Sequence, residues 1–464
     1  MRAISIEQPH ALAGGRRSTD RSEGKGATSR FEQFLLGILI VGLALEESLP
    51  RVGPVSVGFI LFAAVGLYVF FKRSGSFRRV LGMPLPLAFL VVVLIALISE
   101  VSRSEPMFHY ARRIGLMALG MVVVAALVRS RAAIRVGLLA FLLVAAVQAA
   151  IVGLTSGQAL YSTAASDYFS ATAARIAALK DFPIQGNFNR LAFIIGIGGV
   201  LGLVAAGTLQ SSRSRLLVRT LSVLCFFGVA FLASRSAILA TFGAAASLVV
   251  LRRKKRGRSA LIAGCLVAVL WVAVPGVTRA RLSFGEVSAT GREDGRTRVY
   301  RKTLANIQEV IPFGVGEARY WNEWAFDVLE HRLGTHSTPL QVIVVWGLPG
   351  ILALALVVVG MIGSLPKIRP DDPLRLGMWA IAAGVLVRWL ASHTVYDKEF
   401  SVLLGIVVGA QALVWPRSLE GRQFAAGQVA VTGQRARRAG VTFPQGVRAS
   451  VRRPPVRQTS STPS

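Results

Sequence analysis

Residues 336–361 read HSTPLQVIVVWGLPGILALALVVVGM. From Leu340 to Met361 the run is apolar, and it is long enough for one helix across a bilayer, whose hydrocarbon core takes about 20 residues. At its head stands His336-Ser337, and nine residues separate Ser337 from Gly347-Leu348-Pro349-Gly350. The stretch therefore says two things at once. The chain crosses a membrane, and a histidine sits where polar chain meets lipid.

Runs of the same kind recur on both sides of it. They fall at 33–45, 54–71, 83–98, 114–128, 134–154, 188–207, 216–233, 236–251, 259–275, 340–363, 374–391 and 400–415. The 464 residues are 53% hydrophobic and only 16% charged, whereas a soluble domain carries about 25% charge. The alternating segments of about 10 residues that mark a membrane β-barrel do not occur. The expected fold is an all-α polytopic membrane protein of about twelve transmembrane helices. One large extracytoplasmic loop, 276–339, would hold short amphipathic helices. Cys225 and Cys265 both lie inside apolar runs, as small core residues do.

The net charge of +30 is distributed as topology is written, not as a nucleic-acid surface. One set of alternate loops is basic: Lys72-Arg73 with Arg78-Arg79, Arg129 with Arg131 and Arg135, Arg213 with Arg215, Arg252 to Arg256, and Lys367 with Arg369 and Arg375. The other set holds Glu46-Glu47, the 155–187 loop, Ser234-Arg235, the 276–339 loop and the 392–399 loop. That long loop carries nine Lys/Arg against eight Asp/Glu. The positive-inside rule puts the basic set and both termini in the cytoplasm and the long loop outside. Residues 1–30 and 416–464, rich in Arg, Gly, Ser, Pro and Gln, read as disordered cytoplasmic tails around a transmembrane domain, 31–415. Their arginines suit anionic lipid headgroups. About thirty polar residues precede the first run, which does not read as a cleavable leader.

Within the long loop, 297–311 has helical periodicity. Val299, Leu304, Ile307, Val310 and Ile311 fall on one side, and Arg298, Arg301 and Lys302 on the other. A helix in the headgroup plane fits. Pro312 ends it, Gly314-Val315-Gly316 makes a turn, and Tyr320, Trp321, Trp324 and Phe326 follow as an interfacial aromatic cluster. A second, weaker amphipathic segment spans 166–180.

Four pieces of the chain resemble the O-antigen ligases and polysaccharide polymerases, bacterial membrane enzymes acting on undecaprenyl-linked glycans. Gly186-Asn187-Phe188-Asn189 resembles the family's Asn-x-Asn segment. Ser234-Arg235-Ser236-Ala237 resembles its Ser-Arg-Ser-Ala. Gly295-Arg296-Thr297-Arg298-Val299-Tyr300, with Ile311-Pro312-Phe313-Gly314-Val315-Gly316, resembles its Gly-Arg … Pro-x-Gly-x-Gly stretch. His336-Ser337-x9-Gly347-x-x-Gly350 is similar to the ligase-type His-[Asn/Ser]-x9-Gly-x-x-Gly. The chain departs from the family at Arg190, where small or apolar residues are usual. It departs again at Pro349, expected to kink or delay the helix.

The resemblance implies transfer of a glycan from an undecaprenyl-pyrophosphate carrier to an acceptor sugar, by direct inverting displacement, at the outer face of the bacterial cytoplasmic membrane. The acceptor would be lipid A-core or another envelope glycan, and the enzyme would need no metal and no cofactor. The residues read on their own agree. Pyrophosphate needs arginine, whose planar fork pairs two oxygens and stays protonated. Arg235, Arg296, Arg298 and Arg301 are the candidates. A sugar hydroxyl needs a base, and an imidazole with a pKa near 6.5 suits the task. His336 is that candidate. Asn187, Asn189, Ser337 and Tyr300 are candidate substrate contacts. Against these stand plainer readings: arginines as topology signals or a solvated helix face, the histidine as a surface group, the asparagines as interhelical hydrogen bonds. His331 and His393 read as structural, and adjacent Glu46-Glu47 point apart on a helix and make a poor metal site. A polymerase joining lipid-linked repeats shares these residues. A lipid-linked glycan transporter or flippase would instead show internal repeats and mid-span charges. The clearest in-span charges, Arg219 and Arg388, lie near span ends.

Overall fold

The computed structural model describes residues 29–45, 51–52, 55–103, 109–162, 168–179, 187–251, 257, 276–282, 295–330, 334–366, 372–392 and 397–414. The tails, Glu46-Glu47, span 259–275, His331 and His393 lie outside the described residues. The described residues are helical apart from short loops and one two-residue antiparallel pair, β1 (Arg51–Val52) with β2 (Val55–Ser56).

Helices α1 (Arg30–Ala44), α2 (Val57–Lys72), α3 (Ser74–Leu81), α4 (Pro84–Ser102), α5 (His109–Leu127) and α6 (Arg131–Ser162) come first. Then follow α7 (Tyr168–Leu179), α8 (Phe188–Ala206), α9 (Ser212–Leu232), α10 (Arg235–Leu251), α11 (Gly276–Leu282), α12 (Gly295–Ala305) and α13 (Ile307–Val310). Three short turns cover Glu317–Leu329, the middle one π-helical at Tyr320–Trp324. The chain closes with α14 (Thr338–Gly363), α15 (Pro373–Leu390) and α16 (398–414).

Among the described residues seven helices are long and apolar enough to cross a membrane: α4 to α6, α8, α9, α14 and α15. Each coincides with an expected span. The other five of the twelve expected spans are shorter, bent or outside the described residues, so the count of twelve is not confirmed. The expected spans 33–45, 236–251 and 400–415 fold as α1, α10 and α16, of 15, 17 and 17 residues. At 1.5 Å per residue these are only about 22–26 Å long. The span 54–71 folds as α2, which turns by 101° into α3 and makes at most an eighth crossing.

The exposed faces are themselves apolar. Leu87, Leu90, Leu94, Leu97 and Val101 form one helical stripe on α4, and Leu348, Leu352, Leu356, Val359 and Ile362 another on α14. Water would penalise such stripes, whereas lipid accepts them. The chain is thus a multi-pass membrane protein. Its most enclosed helix is α8, which packs on α6, α9, α10 and α15. Close approach of α6 depends on Gly198, where a Cβ would stand 2.2 Å from that of Ala145.

Long-range polar contacts sort the helix ends into two sets that alternate along the chain. Arg73 pairs with Glu32, Arg131 with Asp372, and Arg79 donates to the Ala412 carbonyl. These are the ends that carry the basic loops. Arg103 donates to Gly314, Tyr300 to His336, Thr338 to Ser392, and Arg190 to Glu399. All of these lie at the opposite ends, where every candidate residue sits.

Candidate functional site

The first finding at this end is a splice between two motifs. Inside α14, Gly347 leaves helical geometry at φ 66°, ψ −149°. The break strands backbone groups, because Leu348 cannot reach Val344 and Pro349 has no N–H for Val345. The 312–316 segment supplies all three missing partners. Leu348 donates to the Pro312 carbonyl (2.8 Å), while Val315 and Gly316 donate to Val344 (2.8 Å) and Val345 (2.9 Å). A Cβ at Gly347 would lie 2.0 Å from the Pro312 oxygen. The kink falls two residues before Pro349, and α14 has already begun nine residues earlier, so proline breaks the helix without delaying its start. From the other side Arg103 holds the turn, donating to the carbonyls of Gly314 (2.9 Å) and Phe313 (3.2 Å).

The second finding is how His336 is held. It occupies the left-handed region, φ 57°, a conformation costly for most residues but less so for His. Both flanks are fixed. Buried Thr335 is bonded through its backbone N–H to the Gln341 carboxamide oxygen (3.1 Å), and its hydroxyl donates to the Ser337 carbonyl (2.8 Å). Thr338 ties the same turn to the Ser392 carbonyl beyond α15 (2.7 Å). Tyr300 of α12 donates its phenol to the His336 carbonyl (3.1 Å). The imidazole, half-buried, hangs from a turn braced on three sides.

The third finding is a group of arginines at the ends of α8, α10, α12 and α15. Arg235 opens α10 and is buried, just after Ala233 at φ 49°. The hydroxyls of its neighbours, Ser234 and Ser236, lie 3.5 Å apart. Arg388, fully buried, donates through Nη1 to the Ser236 hydroxyl (2.5 Å) and lies 5.6 Å from the Phe193 ring centre. Its Nε and Nη2 meet no hydrogen-bond acceptor among the described residues. The charges that act on Arg388 are Asp397, Glu399, Arg296 and Arg190. Arg190 itself is buried and paired with Glu399 (2.6 Å). Arg190, Arg296 and Arg388 thus lie near enough to Asp397 and Glu399 for their charges to interact, and Arg235 adjoins Ser236, which Arg388 holds.

Helical spacing divides the loop arginines. Arg296 and Tyr300 are four residues apart and share a face of α12, the face that meets Arg388 and His336. Arg298 and Lys302, also four apart, point the other way and both pair with exposed Glu330. Arg301 is exposed. The expected apolar side of 297–311 also splits. Val299 and Val310 are buried, but Leu304 and Ile311 are exposed because the helix breaks at Asn306.

The candidate substrate contacts take several places. Tyr300 braces His336. Ser337 is buried, its carbonyl engaged by Thr335 and Gln341. The Asn187 side chain caps α8, accepting from the Asn189 N–H (2.9 Å), and Asn189 accepts from Arg175 of α7 (3.5 Å). Of the aromatic cluster, Tyr320 and Trp324 are buried and stacked on one another, and only Phe326 is strongly exposed. Sequence reasoning noted Arg388 and Arg190 but missed their partners, Ser236 and Glu399, and missed Arg175 altogether. The available signal was an arginine inside an apolar run with no acid within a turn of it, at 190 and at 388.

A multi-pass helical membrane protein with a braced histidine and clustered arginines at one face is the class that these observations define. Residues 220–355 match a family model described as O-Antigen ligase. The matched segment holds Arg235, Arg296, Tyr300, His336 and both spliced motifs, and it supports the O-antigen ligase family. Searching curated proteins gave no match.

Proposed function

We propose that this chain is a glycosyltransferase of the cytoplasmic membrane. It moves a glycan from an undecaprenyl-pyrophosphate carrier to an acceptor sugar at the outer face, with both termini in the cytoplasm. One observation carries the reading: the outer end of α15 ties the His336 turn, through Ser392 and Thr338, to the arginines around Ser236. A base and an anion site are thereby held on one frame. In the transfer step an acceptor hydroxyl attacks the anomeric carbon as the bond to pyrophosphate breaks. His336 takes the hydroxyl proton, and the electron pair leaves on pyrophosphate, stabilised by Arg235 and Arg296. Attack opposite the leaving group inverts the anomeric centre, and the step as drawn uses no metal.

The His-x9-Gly-x-x-Gly match favours ligase over polymerase. Charged residues at helix ends, not mid-span, favour a reaction centre over a transport path. Purified protein in lipid, given a synthetic polyprenyl-pyrophosphate glycan and an acceptor, tests the proposal. His336→Ala should abolish most transfer, and wild-type turnover by that variant would refute the reading. Glycan profiling after gene loss separates the alternatives: a ligase leaves polymer on the carrier, whereas a polymerase leaves single repeats.

A further inference from the structure

Arg388 is fully buried in a membrane helix, and two of its nitrogens meet no acceptor among the described residues. A buried ion in a membrane helix is costly, and well-packed apolar residues usually replace such groups without loss. Arg388 does not reach the headgroups as a topology arginine would, since its exposure is 0%. Exposed Arg219, in the third turn of α9, shows the ordinary alternative.

What Arg388 touches gives its use. Arg235 is the first residue of α10, a position where helix ends fray, and it follows a left-handed residue. The flanking hydroxyls of Ser234 and Ser236 turn toward one another, and Arg388 grips Ser236. Arg388 is seated in turn by Phe193 on α8 and by the negative charge of Asp397 and Glu399. The contact therefore links the first turn of α10 to α8 and α15, and Arg235 stands in sequence between the two serines whose hydroxyls meet there.

We propose that Arg388 is a positioning residue: by holding the Ser236 hydroxyl it sets the direction in which Arg235 meets the pyrophosphate of the lipid-linked donor. The inference rests on the proposed reading of Arg235 as a donor ligand. It assigns Arg388 no contact with substrate.

Steady-state kinetics in nanodiscs with a synthetic polyprenyl-pyrophosphate glycan test it, using Arg388→Met, Ser236→Ala, their double variant and Arg235→Lys. Arg388→Met should raise the donor KM roughly tenfold, the scale of one lost charge-assisted hydrogen bond. The acceptor KM and kcat should stay unchanged. Ser236→Ala, a small change that spares the fold, should raise donor KM in the same sense. The double variant should be no worse than Arg388→Met alone, because both remove one contact. If Arg388→Met fails to insert, Ser236→Ala decides alone. Unchanged donor KM in Ser236→Ala, while Arg235→Lys raises it, overturns the inference and leaves the site standing. Unchanged donor KM in Arg235→Lys as well overturns the reading of the site. Independent, multiplying effects in the double variant also overturn the inference, since Arg388 would then act on the donor directly.

Discussion

The phenol of Tyr300 donates a hydrogen bond to the backbone carbonyl of His336 across 3.1 Å, from the loop helix α12 to the turn that precedes α14. The bond fixes the peptide that aims the imidazole. Tyr300→Phe should therefore lower kcat by roughly 2- to 10-fold, the range of one neutral hydrogen bond, with donor KM unchanged. A larger loss, or a shift in donor KM alone, would mean that Tyr300 meets substrate.

The two faces of α12 predict opposite outcomes for neighbouring arginines. Arg296→Ala and Arg235→Ala should cost roughly 10- to 150-fold in kcat/KM for the donor. Arg298→Ala, which breaks only an exposed pairing with Glu330, should stay within about threefold. Lysine at 296 or 235 should restore part of the loss, since it lacks the fork. Equal losses at 296 and 298 would refute the assignment of faces.

Acting as a base, His336 must be neutral. Protonation fills the lone pair that takes the hydroxyl proton, so transfer should fall as the pH is lowered and the imidazole becomes charged. His336→Gln should be slow at every pH and show no such inflection. Near wild-type turnover by the glutamine variant would leave His336 an orienting group only.

Gly347→Ala should destabilise the protein by more than about 2 kcal/mol. Its φ is positive and a Cβ would meet the Pro312 oxygen at 2.0 Å. Gly314→Ala, with Val345 at 2.4 Å, should do likewise. Gly363→Ala, at the end of the same helix with open space around it, is the control and should be neutral. Thermal unfolding in detergent gives the comparison.

Topology follows from the alternation of helix ends. After replacing Cys225 and Cys265 by serine, a cysteine at Asn322 should label from outside intact cells with an impermeant thiol reagent. One at Ser214, beside the basic Arg213 and Arg215, should label only after lysis. Reversal of the two would invert the membrane orientation.

The long spans were legible because unbroken apolar length is all that a bilayer crossing demands. Short runs such as 236–251 are less legible as crossings, because composition does not say where a helix begins: α10 starts at Arg235, two residues after the left-handed Ala233. His336, Arg235 and Arg296 stand out in the sequence through local motifs. The contacts that organise them do not, since Arg388 and Ser236 are 152 residues apart and Arg190 and Glu399 are 209 apart. The splice of 312–316 onto α14 was half visible, for Pro349 announces a carbonyl that needs another donor. Where that donor would come from is a property of the fold.

That splice has a further consequence. Gly316 is fastened to Val345, and His336 leads straight into the same helix, so the chain between them leaves α14 and returns to it. Such an excursion behaves as a handle on a rigid bar. Its length can change at small entropic expense while its two roots stay put, so an insertion there would leave the splice and the histidine turn where they are.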